Sequence, residues 1–74
     1  MSTTATYRVT GMTCDHCVRA VTDELSSLTG VRDVAVELHV GGTSTVRVVS
    51  ASPLADSAVR DAVAEAGYDL VGTP

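Results

Sequence analysis

Seventy-four residues with a formal net charge of -4 and 45% hydrophobic content make one small globular domain, too short for a second core. Nine acidic residues face five basic ones, all Arg, so the chain lacks the basic footprint of a nucleic-acid binder or of a protein drawn to an anionic membrane surface. No run approaches the ~20 apolar residues of a membrane span, and Met1-Ser2-Thr3-Thr4 has no signal-peptide pattern, so a cytoplasmic protein with reduced thiols and no membrane insertion is expected.

With two Tyr and neither Trp nor Phe, the core must come mainly from Val, Ala and Leu. Ala5, Tyr7 and Val9 alternate with Thr6, Arg8 and Thr10, the period of a half-buried strand that Gly11 ends. The period then changes. Val18, Val21, Leu25 and Leu28 share one face of a first helix, with Thr13 or Asp15 as its cap and Gly30 as its left-handed terminator. A second strand follows in Val34, Val36, Leu38 and Val40, alternating with Ala35, Glu37 and His39. Gly41-Gly42 turns the chain into a third strand over Thr45-Val49, as an antiparallel hairpin. Ser52-Pro53 is expected to open a second helix, Ser as cap and Pro at its first position. Val59, Ala62, Val63 and Ala66 line the inner face of that helix, Gly67 closes it, and a short strand runs from Tyr68 to Val71.

Two βαβ halves emerge, echoed in the similar helix exits Gly30-Val31-Arg32-Asp33-Val34 and Gly67-Tyr68-Asp69-Leu70. Right-handed crossovers joined by the hairpin predict an α+β, ferredoxin-like βαββαβ sandwich: a four-stranded antiparallel sheet with both helices on one face. Arg8, Glu37, His39 and Arg47 fall on the other face. Residues 1–4 and 72–74 are read as tails to a domain spanning 5–71.

Gly11-Met12-Thr13-Cys14-Asp15-His16-Cys17 lies where the first strand meets the first helix. A disulfide between cysteines three positions apart closes almost no loop and adds little stability, so the pair is chemical rather than structural. A bare Cys-x-x-Cys is shared by redox proteins, half zinc sites and copper carriers. At a helix N-terminus, unpaired amides and the dipole favour thiolates, lowering the free pKa of ~8.5 to roughly 3.5–7.5 in such settings. Two thiolates suit a soft monovalent ion that takes few ligands, Cu(I) above all. Zinc takes about four ligands, and beyond the two cysteines the chain adds His16 in the motif and the distant His39, so a closed zinc site would need ligands from another molecule.

Over residues 5–71 the chain resembles the heavy-metal-associated domain family, which includes small cytosolic copper chaperones and the amino-terminal domains of copper-transporting P-type ATPases. The resemblance rests on Gly11-Met12-Thr13-Cys14-x-x-Cys17, on the β-α-β-β-α-β order and on Glu65-Ala66-Gly67-Tyr68-Asp69. It implies a carrier, not an enzyme, that holds Cu(I) between Cys14 and Cys17. Such a carrier passes the ion by ligand exchange to a partner such as a copper-transporting P-type ATPase or a copper-responsive regulator. It further implies that Met12 packs beneath the loop and that Tyr68 stands beside it, where eukaryotic chaperones have Lys. Those relatives dock through a Lys-rich face, which this Lys-free chain lacks. Relatives that select zinc, cadmium or lead often carry a carboxylate before the first Cys; Thr13 here favours Cu(I).

Individual residues carry competing readings. Met12 is a thioether donor or, as expected here, core filler. His16 is a third ligand, a pH-sensitive modulator of the thiols or a solvated loop residue. Tyr68 is a wall against the metal loop or a core aromatic with a wet hydroxyl. The alternatives to a chaperone are an isolated ATPase metal-binding domain, a divalent-metal or mercury binder, and a dithiol redox protein. Met1 and an end just after the last strand favour a complete small carrier. That carrier is expected to be monomeric as apoprotein and able to share copper across two copies.

Overall fold

The computed structural model describes residues 2–72. Its elements are β1 (Thr3–Thr10), α1 (Asp15–Ser26), β2 (Val31–Glu37), β3 (Ser44–Ser50), α2 (Asp56–Glu65) and β4 (Asp69–Gly72). The strands form one antiparallel sheet in the order β2-β3-β1-β4, which together with the helices is the expected ferredoxin-like sandwich. Neither helix is long and apolar enough to cross a membrane among the described residues.

The period of each strand decides what it buries. Tyr7 and Val9 of β1 and Val46 and Val48 of β3 point into the core, where they meet Val21 and Leu25 of α1 and Val59, Ala62 and Val63 of α2. Both helices thus cover the same sheet face, and Arg8, Glu37, His39 and Arg47 are exposed. Each of the wholly buried Val9, Val21, Val46, Val48, Val59 and Val63 contributes about 1.5–3 kcal/mol by leaving water, none of it dependent on metal.

Several boundaries differ from the sequence expectation for identifiable reasons. β1 begins at Thr3, because Thr3 and Thr4, placed in the tail, pair with Ser50 and Val49. Gly72 belongs to β4, beside Arg8, and residues 73 and 74 lie outside the described residues. α1 is capped by Cys14, not by Thr13 or Asp15, and it ends at Ser26. Gly30, at φ 89°, serves instead the turn in which the Val31 amide donates to the Leu28 carbonyl at 3.2 Å.

Helix α2 opens at Asp56 after Ala55, not at Ser52-Pro53. Leu54 packs against the core, and in a helix begun at Pro53 it would lie about 140° around from the buried Val59. An extended approach brings both inward. β2 stops at Glu37, and the chain reverses over His39-Val40-Gly41-Gly42, closed by the Gly42 amide on the His39 carbonyl at 3.1 Å. Gly41, at φ 78°, takes the left-handed third position, and Val40 is carried out of the sheet alternation to 69% exposure.

The pairing Val9↔Ser44 brings the β2–β3 turn to the end of the sheet where β1 leaves it, and Thr10↔Asp69 brings the start of β4 there too. Three connections therefore meet at one end of the molecule, and the two cysteines sit in the first of them.

Candidate metal centre

Beyond Thr10 the chain turns at Gly11, whose φ of 94° is a left-handed value that a side chain would strain. Met12 then drops into the core at 1% exposure and anchors the loop from below. The backbone at Cys14 is extended (φ -158°, ψ 176°), as an N-cap requires. Its carbonyl accepts the amides of Cys17 and Val18 at 3.1 and 3.3 Å and so starts the helix.

Cys17 is the third helical residue and lies on the same stripe as Val21 and Leu25, so its side chain faces inward and is only 8% exposed. Cys14, outside the helix, is exposed, and both thiols are free. The two sulfurs stand 3.5 Å apart, and Thr13 Oγ1 lies 3.8 Å from Cys17 Sγ.

The surroundings of Cys17 favour its thiolate. Its pKa is lowered to about 6, first by hydrogen bonding from the Thr13 backbone amide and then by the Tyr68 hydroxyl. The Cys14 thiol and amide contribute in the same direction, and burial opposes them only in part. The reciprocal effect appears at Tyr68, whose pKa is raised by its hydrogen bond to Cys17, by burial and by the negative charge of the two cysteines.

Tyr68 reaches this position through the end of α2. After the C-cap Ala66, Gly67 adopts φ 94°; its amide donates to Ala64 at 2.9 Å and that of Tyr68 to Val63 at 3.1 Å. This Schellman arrangement turns the chain so that the aromatic ring comes back over Gly11.

Of the residues singled out from sequence, Thr13, Cys14, Cys17 and Tyr68 are brought together, with Met12 beneath them. His16 is exposed on the first turn of α1. His39 turns to Glu37 on the far sheet face, Nε2 to Oε1 3.4 Å, and takes no part. Among the described residues no three or more His, Cys, Asp or Glu side chains converge as a metal would need them to.

Two contributions escape sequence reasoning. Thr13 acts mainly through its backbone amide, which any residue but Pro supplies, so residue type carries no signal. Gly11 is legible as a strand terminator, yet its close approach to Tyr68 depends on a partner 57 positions later in the chain.

The heavy-metal-associated domain family model matches residues 6–69. The copper chaperone CopZ of Bacillus subtilis is 35% identical over 65 residues, 88% of this chain and 91% of that one. The solved structure of a CopZ metallochaperone superposes with a TM-score of 0.80 at 36% identity, covering 93% of this chain and 100% of the other. The N-terminal domain of a potential copper-translocating P-type ATPase from Bacillus subtilis, solved in its Cu(I)-loaded state, superposes with a TM-score of 0.77 at 27% identity, over 100% of this chain and 92% of that one.

Proposed function

The chain belongs to the heavy-metal-associated domain family, and from that membership and its thiol pair we propose that it is a cytoplasmic copper chaperone holding Cu(I) between Cys14 and Cys17. The observation that carries the reading is the pair of free sulfurs 3.5 Å apart with no third strong donor converging on them among the described residues. A soft ion content with two thiolates matches that donor set, whereas a tetrahedral divalent ion lacks half its ligands.

The cargo also sets a geometric demand. With metal–sulfur bonds near the ~2.3 Å known for zinc, a two-coordinate ion preferring a near-linear arrangement needs its sulfurs about 1 Å further apart than they stand here. Cys17 is held by the helix stripe, so the movement falls to exposed Cys14.

Transfer follows from the same asymmetry. An incoming protein thiol bonds to the ion as it loses its proton to solvent, the Cys14–copper bond breaks, and Cys14 takes up a proton. Cys17 leaves last by the same exchange. Copper stays Cu(I) throughout, and no electron moves. The N-terminal domain of a copper-transporting P-type ATPase is the leading receiver, supported by likeness to one such domain; a copper-responsive regulator is the other. Thr13 and Tyr68 tune the Cys17 thiolate, Met12 supports the loop, and exposed His16 is assigned a part in copper sharing between two copies. The apoprotein is monomeric on this reading.

Competition between Cu(I) and Zn(II) in reducing, oxygen-free buffer, read as metal content after gel filtration, tests the proposal. Retention of one Cu(I) per chain with zinc lost is expected. Preferential retention of zinc, or thiol–disulfide exchange activity without metal retention, would overturn it.

A further inference from the structure

We propose that the cavity between the start of β1 and the approach to α2 binds a small organic cation, an apolar molecule with one ammonium group whose charged end meets Asp56 and the Tyr7 hydroxyl. The inference stands apart from the carrier reading and concerns the other end of the molecule.

The cavity has a volume of about 240 Å³, and Ala5, Tyr7, Leu54 and Asp56 are among the residues that line it. Its place follows from the pairing of β1 with β3. Val9↔Ser44 marks the metal-loop end, while Ala5↔Val48 and Thr3↔Ser50 run away from it. Thr3 lies six residues from Val9, about 20 Å along a strand.

Tyr7 is what marks the cavity as a site. The residue is 2% exposed, yet none of the side-chain hydrogen bonds among the described residues includes its hydroxyl. No wholly enclosed side-chain oxygen or nitrogen lacks a partner among those residues, so the hydroxyl opens into the cavity that the ring lines. A buried phenol ordinarily finds a partner inside the protein, and packing alone gains nothing from this oxygen.

The lining sets the class of ligand. Asp56 supplies the one charge on the cavity wall among the described residues, and it is negative in a chain of net charge -4. An anion is therefore disfavoured, although α2 begins here without a side-chain cap. The carboxylate is within electrostatic reach of the phenol: the Tyr7 pKa is raised, first by burial and then by the charge of Asp56, so the hydroxyl keeps its proton at neutral pH. A hard metal ion takes six or more oxygen ligands, and a single carboxylate among hydroxyls serves it poorly. Ala5, Pro53 and Leu54 add apolar wall. Water, at ~30 Å³ a molecule, fills such a space but cannot bond to that wall, so a molecule with an apolar body gains by displacing it. Its ammonium then donates to Asp56 and to the Tyr7 oxygen. The volume is below the ~300–1,000 Å³ of sites for drug-sized ligands, which points to a single ring on a short arm.

Benzylamine titrated into the nitrogen-labelled full chain, followed by amide chemical shifts, tests the inference. Binding with a Kd of about 1 mM is expected, the scale for so small a ligand, with the amides of Ala5, Tyr7, Leu54 and Asp56 moving and those of residues 11–17 staying in place. Tyr7→Phe and Asp56→Asn should each weaken binding about fivefold, the size of one neutral hydrogen bond or one exposed ion pair. Asp56 is exposed, so the second variant keeps the fold even where loss of the phenol disturbs it. Benzyl alcohol should bind about fivefold more weakly than benzylamine, and benzoate more weakly still. Shifts confined to other residues, equal affinity for benzylamine and benzyl alcohol, or wild-type affinity in both variants would each overturn the inference. N-acetyl-lysine amide, which offers the same ammonium without a ring, should bind more weakly than benzylamine; tighter binding would make a protein side chain the occupant and overturn the small-molecule assignment.

Discussion

The Tyr68 ring packs against the bare backbone of Gly11: a β-carbon at Gly11 would lie 3.3 Å from Tyr68 Cδ1. The contact joins the two ends of the chain at the metal loop, and it brings the Tyr68 hydroxyl to Cys17. Gly11→Ala combines a left-handed backbone strain with this crowding and should cost about 1–3 kcal/mol of stability. It should also raise the Cys17 pKa by displacing the hydroxyl. Thermal unfolding together with thiolate absorbance against pH checks both, and an unchanged thiol titration would show that Tyr68 keeps its place without the glycine.

Stability of the apoprotein should depend on pH through Cys17. Its folded pKa of about 6 lies below its ordinary 9.0, so ionisation favours the native state. The contribution is complete above about 9, shrinks as pH falls, and is gone below about 6. Apo melting temperature should therefore climb between these limits, and Cys17→Ser should flatten that rise. A wild-type curve already flat in this window would mean the thiolate gains nothing from the fold.

The two cysteines should be unequal in folding and equal in binding. Cys14→Ser and Cys17→Ser each remove half the donor set and should abolish Cu(I) retention against a competing chelator. Cys14 is exposed at the N-cap, where serine is a favoured residue, so its substitution should leave stability unchanged or slightly raised. Cys17→Ser replaces a buried sulfur that packs with the core by a smaller hydroxyl and should lower stability. Chelator competition and denaturant unfolding of the two variants give the comparison.

Met12 should behave as packing. Met12→Leu conserves volume and should change stability by less than about 1.5 kcal/mol, with copper affinity at the wild-type value. Met12→Ala leaves a hole beneath the loop and should cost about 2–5 kcal/mol. A large drop in copper affinity for Met12→Leu at unchanged stability would make the thioether a ligand.

How far such a site can be read from residues alone varies with the kind of force involved. Alternation of Tyr7 with Val9 and of Val46 with Val48 is a repeating pattern, and the sheet and its two covering helices follow from it. The Cys-x-x-Cys loop is a local pattern and is equally legible. The start of α2 is not, because Ser52-Pro53 is a sound local opening signal outweighed by a tertiary demand, the burial of Leu54. The helical phase was legible only to within one position: Val18 is half-buried, and the innermost line runs through Cys17, since a thiol is not counted among the greasy residues that mark a helix face. Val40 fits the alternation of β2 in letters, yet hydrogen bonding of the turn decides its direction.

Since Cys17 occupies the stripe by which α1 settles on the sheet, the dithiol is only half a loop. Grafting residues 11–16 onto another scaffold would transplant one sulfur and leave the other without an address. A portable version of this site would have to travel with the Met12 plug, the opening turns of the helix through Leu25, and a surface able to receive them, which sets the smallest unit that can be borrowed at about the first third of the molecule.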